Sequence, residues 1–291
     1  MNYHEILKIA SKQICGLKGQ VLDVLDIKKP ASPEYAKHLS KVVSKISPLI
    51  GNMIEYRIIE VLNQVDWKQE GEWIRQDPGF PDALFKTKTL PNPGIEIKTW
   101  FPLATEITAR FKDSIDHFTK NQTNVAIVAW LPEYIIYGKP KILDVYVCSG
   151  KSLAMARDKH YHNPPDYLVI EPEDTSARTP NLQQTNTNGY KFQGSPKELK
   201  QAEVEVKGWG KNGKDFNSGE AYQTRLKTLI GKYNYRLDTN FAKIDRIEHV
   251  GLEKFKTNVV EMSVHNKTIR NWQELLGREG NTLQEILKDP I

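Results

Sequence analysis

Four short runs dominated by apolar and β-branched side chains, at residues 83–85, 95–99, 125–131 and 142–147, constrain the fold more than any other feature of the chain. Each has the length of a strand, and helical patterns stand before and after the set. Ile6, Leu7, Ile9, Ala10 and Ile14 make one loose helical stripe, and Tyr35, Leu39, Val42, Val43 and Ile46 make a second. A third helix is expected from Pro48 or Gly51 to about Gln64, and another from Lys151 to about Lys159. Residues 167–170 read as a further strand, and residues 203–206 alternate as a strand should. Strands mixed with helices predict an α/β or α+β core.

The chain has 291 residues, enough for one large domain or two modest ones. An apolar share of 39% with 26% charged residues excludes a disordered or fibrous chain. No apolar stretch approaches the roughly 20 residues that span a bilayer, so no membrane partner is expected. The opening MNYHEILKIASK lacks the continuous apolar core of a signal peptide. Cys15 and Cys148 are too few and too isolated for a disulfide framework or a cysteine zinc site. A reducing, cytoplasmic setting is the expectation.

The organisation expected is an N-terminal helical segment (1–47), a core (48–170), a connecting loop rich in Pro, Thr, Asn and Gln (171–194), and a C-terminal lobe (195–291). One continuous domain is the alternative. Residues 191–236 carry ten Lys or Arg against five acids, an excess equal to the +5 of the whole chain. Tyr222, Tyr233 and Tyr235 lie among these charges. Basic residues interleaved with aromatic and amide side chains suit a polyanion, and a solvated basic surface is the competing explanation.

The segment PGFPDALFKTKTLPNPGIEIKTW, residues 78–100, carries the chemistry. Asp82 opens one strand, Pro91-Asn92-Pro93-Gly94 supplies a turn, and Ile95-Glu96-Ile97-Lys98 returns. Alternation turns Ile95 and Ile97 to one face, and Glu96 and Lys98 to the other. Sheet pairing brings Asp82 toward that second face. Two nearby carboxylates repel unless a proton or cation intervenes. Mg²⁺, or Mn²⁺ in its place, suits such oxygen ligands while keeping room for water and phosphate oxygen. A neighbouring ammonium can hold water near phosphorus or stabilise developing charge. These are the parts that phosphodiester hydrolysis needs.

Pro81-Asp82, thirteen residues, then Glu96-Ile97-Lys98 resembles the signature of the PD-(D/E)xK nuclease superfamily, which includes many type II restriction enzymes. The resemblance implies an α/β restriction-endonuclease-like core, a central mixed β-sheet flanked by helices, here with a basic C-terminal lobe. It makes Asp82 and Glu96 metal ligands and Lys98 a catalytic lysine. The superfamily often adds an acid from a helix before this hairpin. Glu55, on the edge of the apolar stripe Ile54, Ile58, Val61 and Leu62, fits that place better than Glu60. GNMIE, GIEIKT and AWLP, in that order, resemble segments of the MutH-like branch, and KYNYRLDTNF (232–241) is faintly similar to a segment near the end of those proteins. That branch has one more lysine before the AWLP-like strand. Aligning on Trp130 puts Asn124 there, with Lys120 slightly earlier as the additional catalytic candidate.

The function implied is Mg²⁺-dependent cleavage of double-stranded DNA at a short specific site, with a homodimer as one allowed assembly. Lys211, Lys214, Arg225, Lys227, Asn234, Arg236 and Asn240 are the DNA-binding candidates. A MutH-like strand-nicking repair endonuclease and a non-catalytic DNA-binding module on a degenerate nuclease fold are the alternatives. A second acid-x-Lys pattern, Glu205 with Lys207, follows Pro165-Asp166, but 38 residues separate Asp166 from Glu205. His160, His162 and His265 lack companion ligands at suitable spacing, and the glycines at 208, 210 and 213 lack a P-loop's residue order.

Overall fold

The computed structural model describes residues 1–77, 79–88, 90–103, 118, 120–162, 190–192, 195–209, 220–233, 235–237 and 248–277. Helix α1 (Tyr3–Cys15) starts at a capping box, in which the Glu5 amide donates to Asn2 and the Asn2 amide to Glu5. Its Ile6, Leu7, Ala10 and Ile14 fall on one helical face and are buried. Helix α2 (Pro33–Lys45) begins at Ser32, whose hydroxyl accepts from the Tyr35 amide. Helix α3 (Ser47–Asn63) buries Ile50, Gly51, Ile54, Ile58 and Leu62. Full burial of each such isoleucine or leucine contributes about 1.5–3 kcal/mol.

The chain then lays down a five-stranded sheet whose strands lie side by side in sequence order: β1 (Glu72–Arg75), β2 (Ala83–Lys86), β3 (Gly94–Trp100), β4 (Thr123–Pro132) and β5 (Pro140–Ser149). Strand β3 runs parallel to β4, and the other neighbours are antiparallel, so the sheet is mixed. Helix α4 (Gly150–His162) follows. Next come β6 (Tyr190–Phe192), α5 (Pro196–Lys207), α6 (Glu220–Lys232) and β7 (Tyr235–Leu237). Helix α7 (Val250–Val260), the hairpin of β8 (Ser263–Val264) and β9 (Lys267–Thr268), and α8 (Ile269–Gly277) complete the described elements.

Helices α1 and α3 lie on one face of the sheet. Asn124 of β4 donates to Ser11 of α1 at 3.0 Å, and Gly51 of α3 closes on the Thr99 side chain of β3. Asn124 pairs with Ile95, so Ile95, Ile97 and Thr99 turn toward these helices. Glu96, Lys98 and Trp100 turn to the other face, where Phe255 of α7 stacks near Trp100 and Tyr146. Both faces are therefore covered, which accounts for the near-continuous burial along β3 and β4.

Two compact units emerge: Met1–Thr108 with Ser114–Leu153 and His249–Ile291, and Ala109–Asp113 with Ala154–Glu248. These cut the chain differently from the boundaries 1–47, 48–170 and 195–291. The N-terminal helices share a core with the sheet, and α7 belongs with it too, because Phe255 meets Trp100. The second unit is organised around Ala202, Val206, Tyr222, Leu226 and Leu229 of α5 and α6.

Residues 203–206 are helical, which overturns the strand expected there. Ser195 and Glu198 form a reciprocal capping box, Pro196 occupies the first turn, and Leu199, Ala202 and Val206 bury one helical stripe. The second acid-x-Lys pattern is thus no strand motif, and Glu205 pairs with Lys232 at 2.8 Å. Strand β1 is an element that the sequence expectations do not include. The strand expected at 167–170 lies outside the described residues. Among the described residues no helix is long and apolar enough to cross a membrane.

Candidate active site

Asp82 immediately precedes Ala83, which pairs with Ile95, so the register sets Asp82 across from Glu96. The two residues are tied reciprocally. The Asp82 amide donates to Glu96 Oε2 at 3.2 Å, and the Ile97 amide donates to Asp82 Oδ2 at 2.7 Å. Gly94 permits this closure, because a Cβ there would overlap Pro81 Cγ. Just beyond β1, Gln76 steadies the turn: its amide donates to the Asp82 carbonyl and its side chain to the Pro81 carbonyl, each at 2.8 Å.

Lys98, two residues beyond Glu96 on the same face, brings Nζ to 2.5 Å from Glu96 Oε1 and 3.5 Å from Asp82 Oδ2. The Glu96 side chain is 9% exposed, against 20% for Asp82 and 24% for Lys98. The centre is buried at Glu96 and reached from solvent beside the other two. Burial raises the Glu96 carboxyl above its ordinary range, and repulsion from Asp82 adds to this against the pull of Lys98. For Lys98, burial alone would lower the ammonium. Attraction to Glu96 and Asp82 outweighs it and raises the group instead.

Glu55 is carried by α3, where its carboxylate pairs with Arg75. Its Oε2 accepts from Arg75 Nε at 2.9 Å, and its carboxyl is raised by burial, with Asp82 acting in the same direction and Lys98 opposing. The residue missed in the sequence is Arg75, whose β1 setting carries too weak a signal to be read. It joins Glu55, Asp77 and Asn52 in one network.

The donor set suits a divalent ion. Asp82 Oδ1 takes no hydrogen bond from the described residues, and the like-charge strain between Asp82 and Glu96 is what a cation relieves. Among the described residues no three His, Cys, Asp or Glu side chains form a ready-made metal cage. Mg²⁺ needs none, since one or two carboxylates with waters and substrate phosphate complete its octahedron. Two carboxylates fit that pattern.

Of the other candidates, Lys120 and Asn124 belong to the same unit as the centre and do not join it. Lys120 is exposed ahead of β4, and no hydrogen bond or ion pair links its ammonium to Asp82, Glu96 or Lys98. Asn124 faces α1 instead. Arg225 and Lys227 are exposed on α6. Arg236 lies in β7, opposite Lys191 of β6. Lys211, Lys214, Asn234 and Asn240 lie outside the described residues. His265 sits at the β8–β9 turn and reaches the Glu133 carbonyl at 3.2 Å, a hydrogen-bonded histidine rather than a ligand.

No family model matches the chain, and neither the curated proteins nor the solved structures provide a match to it.

Proposed function

We propose that this chain is a Mg²⁺-dependent, site-specific DNA endonuclease of the type II restriction kind, with a PD-(D/E)xK centre on a restriction-endonuclease-like fold. The observation that carries the reading is the convergence of Asp82, Glu96 and Lys98 on one sheet face, with both carboxylates fixed through backbone amides. Asp82 and Glu96 would hold the metal, and Glu55 would add an oxygen from α3. When bound, the metal acidifies water and neutralises charge building on the phosphoryl oxygens. Lys98 orients the attacking water and stabilises the negative charge of the transition state.

Double-stranded DNA is the substrate that fits both this chemistry and the basic excess in residues 191–236. Exposed Arg225 and Lys227 suit phosphate or base contacts from the second unit. A cytoplasmic setting accords with two free cysteines.

Incubation of purified protein with supercoiled plasmid and Mg²⁺ tests the reading. Discrete linear fragments are the expected product. Accumulation of nicked circles alone would favour the strand-nicking alternative. Untouched plasmid that is nevertheless bound would leave the non-catalytic module.

A further inference from the structure

Gln76 holds both peptide planes that flank Asp82. Its backbone amide donates to the Asp82 carbonyl, which continues the β1–β2 ladder by one residue, and its side-chain Nε2 donates to the Pro81 carbonyl, each at 2.8 Å. Only the NH₂ end of a glutamine can donate to a carbonyl oxygen, so the side-chain amide has one orientation there. The turn is shaped to admit this side chain, since a Cβ at Gly79 would lie 2.6 Å from Gln76 Cβ. Gln76 is half-buried and stands one position past β1. Alternation turns it to the face opposite Arg75, which is the face of Glu96 and Lys98.

Those two planes decide where Asp82 points. A peptide plane is rigid, so fixing the planes before and after a Cα fixes φ and ψ, and with them the direction of Cβ. The Pro81–Asp82 plane carries the Asp82 N–H, which donates to Glu96 Oε2 at 3.2 Å. The Cβ direction brings Asp82 Oδ2 to the Ile97 amide at 2.7 Å. A carbonyl that accepts a hydrogen bond also makes the N–H of the same peptide a stronger donor, so the Gln76 bond reinforces the one on Glu96. Any residue but proline could make the backbone bond. The side-chain bond needs a donor of this reach at position 76.

We infer that Gln76 is a positioning residue for the carboxylate pair: by holding the Pro81–Asp82 peptide, its side-chain amide sets the Asp82 carboxylate on the Ile97 amide and the Asp82 N–H on Glu96. Its bearing on catalysis rests on the nuclease reading given above, whereas its geometry rests on the hydrogen bonds alone. A plain fastener of the turn is the rival explanation. That role predicts lost stability with the Ile97 amide, on β3, undisturbed.

The test is amide hydrogen exchange followed by NMR on the full, metal-free chain as wild type, Gln76→Met and Gln76→Lys, alongside single-turnover plasmid cleavage at saturating Mg²⁺. Thermal unfolding establishes that each is folded, and the Ile127 amide within β4 is the reference for global opening. In Gln76→Met the Ile97 amide should exchange about tenfold faster or more relative to Ile127, the scale of weakening a hydrogen bond to a charged group. Cleavage should slow about 10- to 100-fold with DNA affinity unchanged, the range for loss of a partner that orients an active carboxylate. Gln76→Lys keeps a donor of similar reach and should restore both toward wild type. Wild-type exchange at Ile97 in Gln76→Met, or equal acceleration of Ile97 and Ile127, overturns the inference. So does undiminished cleavage by that variant, or a Gln76→Lys protein that behaves like it. Should Gln76→Met fail to fold, Gln76→Asn decides, because its amide stops one methylene short of Pro81: faster Ile97 exchange is expected, and an unchanged rate refutes the role. Wild-type protein that cuts no plasmid sinks the nuclease reading alone, since Ile97 exchange still decides whether Gln76 sets Asp82.

Discussion

Replacing Lys98 with Met removes the one ammonium that, among the described residues, is paired with both carboxylates of the centre, and the cost can be reasoned from the geometry. In the parent, Nζ lies 2.5 Å from Glu96 and 3.5 Å from Asp82, and Glu96 is nearly buried. Breaking a buried ion pair from one side costs about 3–5 kcal/mol, because a charge is left without its partner. Asp82 and Lys98 retain a fifth to a quarter of their exposure, so solvent screens part of this, and about 2 kcal/mol is expected at pH 8. At roughly 2–4 °C per kcal/mol for units of this size, the thermal midpoint should fall by about 4–8 °C. The penalty has a definite pH signature. Glu96 is already raised by burial and by Asp82, and loss of Lys98 raises it further. An acid with a raised folded pKa favours the folded state while protonated. The penalty is therefore absent below the unfolded value of about 4.3 and grows as pH rises toward the folded value. Chelator-treated parent and variant should converge as pH falls toward 4 and separate at pH 8. An equal gap at both pH values, or no gap at pH 8, would refute the reasoning. Single-turnover cleavage by the variant in Mg²⁺ should drop about 10²- to 10³-fold or more, the scale for losing one charge-stabilising donor.

Other outcomes follow from the same geometry. Asp82→Asn should abolish cleavage yet leave thermal stability equal to or above the parent in chelator, since it relieves repulsion on Glu96; a large destabilisation would show the carboxylate to be chiefly structural. Half-maximal cleavage should demand more Mg²⁺ as pH is lowered, because protons compete for a raised Glu96 carboxyl, and a pH-independent requirement would count against Glu96 as a ligand. Mn²⁺ should replace Mg²⁺, whereas Ca²⁺ should support binding with little hydrolysis, as gel assays of binding and cutting would show. Arg225→Ala with Lys227→Ala should weaken DNA binding and flatten its salt dependence by up to about 0.9 for each phosphate that is no longer neutralised; an unchanged slope makes those residues a solvated face.

The parts of this protein legible in its sequence are those governed by local periodicity. The period-2 run Ile95-Glu96-Ile97-Lys98 announces both its core face and its polar face, and the turn before it implies the return from Asp82. Helices α1 and α2 are readable from apolar stripes whose outer residues lie within three positions of the helix ends, and α3, expected from Pro48 or Gly51 to about Gln64, runs Ser47–Asn63. Residues 203–206 show where local pattern misleads. Their alternation loses to a capping box begun eight residues earlier at Ser195, and the spacing of Leu199, Ala202 and Val206 is the signal that reveals it. Strand β1 offers too little, since only Trp73 of its four residues is buried. The Arg75 network reaches Glu55 and Asn52, 20 and 23 positions away, and no period in the sequence encodes those links. Packing of α7 against Trp100 is likewise tertiary, with 155 positions between Trp100 and Phe255.

The central claim is that Asp82, Glu96 and Lys98 form a metal-dependent phosphodiesterase centre. Its most direct test is single-turnover cleavage of supercoiled plasmid by wild type and by folded Glu96→Gln, each with Mg²⁺ and with excess chelator. The account predicts cutting by the wild type in Mg²⁺ alone, with none by the variant in either condition. Cutting by the wild type in chelator, or near-normal cutting by Glu96→Gln, would contradict it.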